Sequence, residues 1–92
     1  MVKKQFVIIN NKDGIHARPS AIIAQEAQKY KSKINISFDK RIADAKNILS
    51  LITLGMFQYA EVELVVEDED ENMLNEVFSV IKTLLEKEYN LR

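Results

Sequence analysis

The only histidine and the only proline of the chain, His16 and Pro19, lie three residues apart with Arg18 between them. Proline fits only the first turn of a helix, so a helix is predicted to begin just after His16. Its free amides and positive dipole would favour an anion at Ala17, Arg18, Pro19 and Ser20. A neutral imidazole is a nucleophile. These residues favour a phosphorylatable histidine, while a simple helix cap or an exposed loop histidine remains the alternative.

Length and composition predict one globular domain over residues 1–92 with a single modest core. The chain has 92 residues, of which 47% are hydrophobic and 29% are charged. The absence of cysteine excludes disulfides and thiolate metal sites, and fits a reducing cytosol. No long apolar segment indicates export or membrane insertion. We therefore expect a cytoplasmic protein without metal or cofactor.

Charge is distributed unevenly although the net charge is only −1. Residues 1–46 hold ten of the 13 Lys and Arg but only four of the 14 Asp and Glu. His16 lies in this basic half, which would speed encounters with acidic partners. Nucleic-acid binding is not expected, because the basic residues are not interleaved with aromatic residues that could stack on bases.

The first half of the chain predicts a strand, a helix and a hairpin. Residues 3–9 have the content of a strand that is at least half buried. The apolar spacing over 17–29 indicates an amphipathic helix, and the alternation over 34–39 indicates a strand with one dry face. A short return strand is expected over 41–45, although Asp39-Lys40 is a poor turn without glycine.

The second half predicts a short helix, a strand and a long helix. Asn47 is a suitable N-cap for a helix over 48–54 that ends at Gly55. The segment 61–67 alternates like a one-sided strand. The acidic run 68–71 would open a last helix extending to about residue 87. This order predicts an α+β open-faced β-sandwich, a four-stranded antiparallel sheet with three helices on one face.

The motif and the element order together resemble the histidine-containing phosphocarrier protein HPr family of the bacterial phosphotransferase system. The resemblance covers residues 3 to 87, and its most specific part is the segment Gly14-Ile15-His16-Ala17-Arg18-Pro19. Four further segments support it: Gln25-Glu26-Ala27, Ala45-Lys46-Asn47-Ile48, Thr53-Leu54-Gly55 and Glu69-Asp70-Glu71.

The resemblance implies a phosphoryl carrier within a phosphotransferase system rather than a stand-alone enzyme. His16 would accept the phosphoryl group from enzyme I on its δ1 nitrogen and pass it to IIA domains of sugar permeases, with Arg18 holding the phosphate. Both partners would dock on the short helix, where Leu51 and Leu54 are expected to turn inward. Its outer surface would then consist of Ile48, Leu49, Ile52 and Thr53. We expect a monomer.

Departures from the family pattern leave a second hypothesis open, a divergent paralogue that acts as a regulatory binding module in a specialised, for example nitrogen-related, phosphorelay. Asn47 stands where many relatives carry a regulatory serine, so no such switch is expected. Ser20 replaces a usual alanine, and its hydroxyl is expected to solvate the first turn, with contact to the phosphate as the alternative. Lys40, Tyr59 and Asp68 replace family glycines, so differently shaped loops are expected there, with an altered partner surface or dimerisation left open.

Overall fold

The computed structural model describes residues 1–89 as four strands and three helices. The strands are β1 (Val2–Ile8), β2 (Lys33–Phe38), β3 (Arg41–Asp44) and β4 (Glu61–Glu67). The helices are α1 (Ala17–Ala27), α2 (Ile48–Leu54) and α3 (Glu71–Glu86). The element order predicted from the sequence is therefore confirmed; residues 90–92 of the expected 1–92 domain lie outside the described part.

The four strands form one antiparallel sheet in the order β1-β4-β2-β3. Strand β4, one of the two inner strands, buries Val62, Leu64 and Val66, and the residues between them lie on the opposite face. This alternation follows from the two-residue period of a strand and gives the sheet one covered and one open face. The open-faced sandwich expected from the sequence is confirmed.

The three helices pack on the covered face of the sheet, because each carries an apolar stripe at helical spacing. Helix α1 buries Ile23, Ala24 and Ala27, while α2 buries Leu51 and Leu54 as expected. Helix α3 adds a longer stripe, with Leu74, Val77, Phe78, Ile81 and Leu85 buried. Together with the sheet they form one hydrophobic core. These buried side chains supply most of the driving force for folding.

Strand β1 differs from the expectation of a strand that is at least half buried. Within it only Val7 is buried, whereas Phe6 is 61% and Ile8 is 41% exposed. The reason is topological: β1 is an edge strand, so it has a neighbour on one side only, and one of its faces points away from the helices. Apolar content alone does not distinguish the two faces of such a strand.

The β2–β3 hairpin forms in spite of its unfavourable turn sequence. Phe38 pairs with Arg41 across a two-residue turn, and both turn residues have positive φ, 54° at Asp39 and 65° at Lys40. Such φ values match the twist of a tight hairpin. The backbone conformation of the turn is thus the one that glycine favours, although neither residue is glycine.

The other two positions without the family glycine behave differently from each other. Tyr59 also keeps a positive φ of 70°, and its side chain is 72% exposed. Asp68 accepts hydrogen bonds from Ser32 Oγ and from the amide of Asp70, and these bonds shape the start of α3. Tyr59 therefore has a backbone angle that glycine favours, whereas the loop at Asp68 is held by hydrogen bonds to its side chain.

Candidate functional site

His16 lies at the N-terminus of α1, as its spacing to Pro19 predicts. It is the N-cap residue of the helix, and its backbone carbonyl accepts the first helical hydrogen bond, from the amide of Ser20 at 2.9 Å. The imidazole is exposed and makes no capping hydrogen bond to the amides of the first turn. The side chain is therefore open to an incoming group and is not engaged in capping its own helix.

Gly14 fixes the backbone that leads into His16. Its φ is +73°, and a Cβ at this position would lie 2.3 Å from the carbonyl oxygen of Met56. The amide of Ile15 donates to the same oxygen at 3.0 Å. Only glycine combines this φ with so close an approach of two chain segments. The backbone of residues 14–16, which we call the histidine loop, is thereby joined to the residues that follow α2.

Two backbone amides are available to an anion beside His16. The first residues of a helix have no intrahelical acceptor for their N–H groups, which leaves Ala17 and Arg18 as donors. Pro19 has no N–H, and the amide of Ser20 is already bonded to His16. Arg18 is exposed, and no carboxylate within residues 1–89 forms a salt bridge with it. Its guanidinium is therefore not neutralised by a carboxylate among the described residues.

Ser20 differs from the expectation that it solvates the first turn of α1. The residue is fully buried, and its Oγ has no hydrogen-bond partner within the described residues. Its position on the core side of the helix explains this, since it lies on the same buried stripe as Ile23 and Ala27. Four residues, Ala17, Arg18, Pro19 and Ser20, are predicted to hold the anion, and we call them the cradle. Of these, Ala17 and Arg18 carry the free amides.

A cavity of about 190 Å³ opens beside the imidazole. Asp13 brings a carboxylate and Arg18 a guanidinium to its lining, so the cavity holds charges of both signs. Six residues line it: Asn11, Asp13, His16, Arg18, Pro19 and Tyr89. Pattern reasoning missed Asn11, Asp13 and Tyr89. Asn11 and Asp13 lie between the predicted strand and the predicted helix, where no periodicity marks them, and nothing in the sequence connects Tyr89 with them.

Tyr89, which follows α3, forms part of the cavity wall beside His16. Its amide donates to Asn11 Oδ1 at 2.6 Å, and its hydroxyl donates to the Leu84 carbonyl at 2.6 Å. Burial raises the pKa of the Tyr89 phenol to about 12. At neutral pH the ring is therefore an uncharged wall rather than an acid or a base.

Helix α2 lies next to the histidine loop and leaves an apolar surface exposed. Ile48, Leu49 and Ile52 are 40%, 71% and 37% exposed, and Thr53 is exposed as well. The bond between Ile15 and Met56 holds the end of this helix against the loop. Exposed apolar side chains that cluster on one helix are typical of a docking surface.

Asn47 caps α2 as predicted. Its side chain accepts a hydrogen bond from the amide of Ser50 at 3.0 Å, and Gly55 ends the helix with a φ of +72°. A carboxamide carries no hydroxyl, so it cannot receive a phosphoryl group as a serine would. The residue therefore keeps the cap without providing a modification site.

The fold and this site define a class, a small phosphocarrier domain with an exposed histidine at a helix N-terminus. A family model described as "PTS HPr component phosphorylation site" matches residues 3–86, more than half of the chain. The chain belongs to the HPr family, the phosphocarriers of the phosphotransferase system. In residues 1–89 no helix has the length and apolarity needed to cross a bilayer.

Individual relatives agree with this assignment. The chain is 37% identical over 87 residues to phosphocarrier protein HPr of Mycoplasma pneumoniae, covering 94% of this chain and 96% of that protein. It is 35% identical over 88 residues to the HPr-like protein Crh of Halalkalibacterium halodurans, covering 96% and 100%. A crystal structure of HPr from Bacillus anthracis superposes with a TM-score of 0.83 at 24% identity, covering 92% and 98%, and supports the fold.

Proposed function

We propose that His16 accepts a phosphoryl group from the phosphohistidine of enzyme I and passes it to IIA domains of sugar permeases. The observation that carries the proposal is the placement of an exposed, uncapped imidazole at the N-terminus of α1 beside Arg18. The same location offers a nucleophile and donors for an anion. We place this exchange in the cytoplasm.

The transfer needs no cofactor in this scheme. The lone pair of a neutral His16 ring nitrogen attacks phosphorus, the new P–N bond forms, and the P–N bond to the donor histidine breaks. The proton on the other ring nitrogen of His16 stays in place. The reaction of phosphoryl transfer relies on positioning and charge stabilisation, so a small open site is sufficient.

The amides of Ala17 and Arg18 and the Arg18 guanidinium would hold the transferred group. Hydrogen bonds to a charged group contribute roughly 1.5–3 kcal/mol each. A few of them would stabilise the phosphoryl group on His16 without enclosing it. A carrier has to release its cargo, so an open cavity suits this role better than a closed one.

We further propose that enzyme I and the IIA domains dock on Ile48, Leu49, Ile52 and Thr53. This surface is exposed, mostly apolar and held against the histidine loop through the Ile15–Met56 hydrogen bond. A partner that covers it would bring its own histidine close to His16. The protein would act as a monomer, which leaves this face free for each partner in turn.

The test is phosphoryl transfer from phosphoenolpyruvate through purified enzyme I, read by intact mass and by acid lability of the adduct. One acid-labile phosphoryl group is expected on the wild type and none on His16→Ala. Arg18→Ala is expected to fold normally, since the residue is exposed, and to accept the group more slowly. A phosphorylated His16→Ala variant would exclude His16 as the acceptor.

A regulatory binding module is the second candidate, favoured by the 35% identity to the HPr-like protein Crh. In that case the phosphorylation state of His16 would change affinity for a target, and no IIA domain would be phosphorylated. Incubating the phosphorylated protein with a purified IIA domain separates the two. Transfer to the IIA domain supports the carrier, whereas a stable adduct in its presence supports the regulatory module.

A further inference from the structure

A hydrogen bond between the two ends of the chain adjoins the site. Tyr89, which follows α3, donates its amide to Asn11 Oδ1 at 2.6 Å, across 78 positions of sequence. Asn11 is only 2% exposed, so this is a buried polar contact. We refer to these two residues and the bond between them as the terminal clasp.

Asn11 connects the clasp to the backbone before His16. Its Nδ2 donates to the Gly14 carbonyl at 2.8 Å, and its own carbonyl accepts from the Gly14 amide at 2.9 Å. Gly14 is thus bonded to Asn11 through both of its backbone groups, while Met56 restrains Ile15 from the other side. A buried side chain with this many partners fixes the loop in one conformation.

Tyr89 connects the same clasp to the cavity. The residue is 7% exposed and lines the cavity together with His16 and Arg18. Its ring is anchored at both ends, because the backbone is bonded to Asn11 and the hydroxyl to the Leu84 carbonyl. Lys87 Nζ lies 5.3 Å from the centre of the ring and packs against it. The ring therefore forms a fixed wall of the cavity.

We propose that Asn11 and Tyr89 are positioning residues for phosphoryl transfer at His16. Asn11 holds the Gly14–His16 backbone in the geometry that the in-line attack requires, and Tyr89 limits the access of water to the phosphoryl group. The inference rests on the proposed function of His16. It adds two residues that neither touch the reacting atoms nor follow from the signature at residues 14–19.

Two substitutions separate the parts of the clasp. Asn11→Ala removes the two side-chain bonds, from Asn11 Nδ2 to the Gly14 carbonyl and from the Tyr89 amide to Asn11 Oδ1, and keeps the backbone bond from the Gly14 amide. Tyr89→Ala removes the ring but keeps the backbone amide that donates to Asn11. The matched control is Asn10→Ala, which removes the hydrogen bond from Asn10 Nδ2 to the Glu86 carbonyl at 3.0 Å. That bond also joins the loop to the end of α3, but Asn10 does not line the cavity.

The experiment measures the rate of phosphorylation by enzyme I as a function of enzyme I concentration, and then the half-life of phosphorylated His16 after enzyme I is removed. For Asn11→Ala we expect kcat to fall roughly tenfold, which corresponds to about 1.4 kcal/mol of transition-state stabilisation. KM should stay unchanged because the α2 surface is intact. Asn10→Ala should keep both parameters within roughly twofold.

For Tyr89→Ala we expect the phosphoryl group on His16 to hydrolyse several times faster. Tyr89→Phe should restore most of the wild-type half-life, because it rebuilds the ring and keeps the backbone bond to Asn11 and loses only the hydroxyl bond to the Leu84 carbonyl. Urea titration of each variant verifies that it is folded under assay conditions. If Asn11→Ala does not fold, the half-life of Tyr89→Ala alone decides.

Three outcomes separate the explanations. An unphosphorylated wild type would contradict the proposed function itself. A phosphorylated wild type, with Asn11→Ala as fast as Asn10→Ala, would overturn the positioning role of Asn11. An unchanged half-life in Tyr89→Ala would overturn the role of the ring.

Discussion

Replacement of Gly14 by alanine tests whether the histidine loop depends on its close approach to Met56. The chain contains two glycines, and the second supplies a matched control. Gly14 and Gly55 have nearly the same φ, +73° and +72°. An alanine Cβ would lie 2.3 Å from the Met56 carbonyl oxygen at the first position. At the second, its nearest neighbours would be 3.9 and 4.0 Å away.

The expected free-energy difference follows from these distances. A left-handed conformation costs an alanine about 1–2 kcal/mol, and both variants carry this cost. At Gly14 the Met56 oxygen must also move, which breaks its hydrogen bond with the buried Ile15 amide. An unsatisfied buried donor costs about 1–3 kcal/mol. We therefore expect a loss of about 2–5 kcal/mol for Gly14→Ala and about 1–2 kcal/mol for Gly55→Ala.

Urea unfolding followed by circular dichroism measures both losses. For a small domain with a total stability of about 5–15 kcal/mol, the difference is well above the error of the method. In the folded fraction, Gly14→Ala should also slow phosphorylation of His16, whereas Gly55→Ala should not affect the cradle. Equal losses of stability in the two variants would refute the reasoning, because the close contact would then cost nothing.

Two further predictions concern docking and pH. Ile48→Asp should weaken binding to enzyme I with little change in stability. The control Met73→Asp changes a similarly exposed position near the start of α3 and should bind normally. Calorimetric titration compares the two affinities, and equal values would exclude the α2 surface as the docking site. The second prediction concerns how stability depends on pH through the Tyr89 phenol. Its phenol holds its proton more tightly in the folded state, with a pKa of about 12 against 10.0 in its unperturbed form. The resulting stabilisation is complete below about pH 10 and is lost as the pH rises towards 12. The urea midpoint of the wild type should therefore fall over this interval relative to that of Tyr89→Phe, and parallel midpoints would contradict the burial of the hydroxyl.

The elements that could be predicted from the sequence are those with a strong local signal. The strict alternation of Val62, Leu64 and Val66 fixes the inward face of β4, and the caps Asn47 and Gly55 set both ends of α2. Pro19 likewise sets the beginning of α1. In each case one physical requirement, period or cap chemistry, acts within a few residues.

The features that could not be predicted depend on distant contacts. The positive φ values at Asp39 and Lys40 are imposed by hairpin pairing and not by the turn residues themselves. The burial of Ser20 depends on how α1 packs on the core. The contact between Asn11 and Tyr89 joins the two ends of the chain, and no periodicity or motif connects positions so far apart.

The site itself was predictable in its chemistry and not in its full composition. His16 and Arg18 could be identified because their residue types and spacing match an anion cradle at a helix start. The walls of the cavity come from Asn11 and Tyr89, whose residue types have many ordinary roles. Local sequence thus identifies the reactive group, whereas the fold determines its surroundings.

The most direct test of the central claim is nuclear magnetic resonance of the protein labelled with ¹⁵N in its single histidine and phosphorylated by enzyme I and phosphoenolpyruvate. The account predicts a one-bond coupling between ³¹P and a ring nitrogen of His16, with the signal disappearing on acidification. A phosphorus signal without coupling to the labelled ring, or no phosphorus signal on the protein, would contradict it.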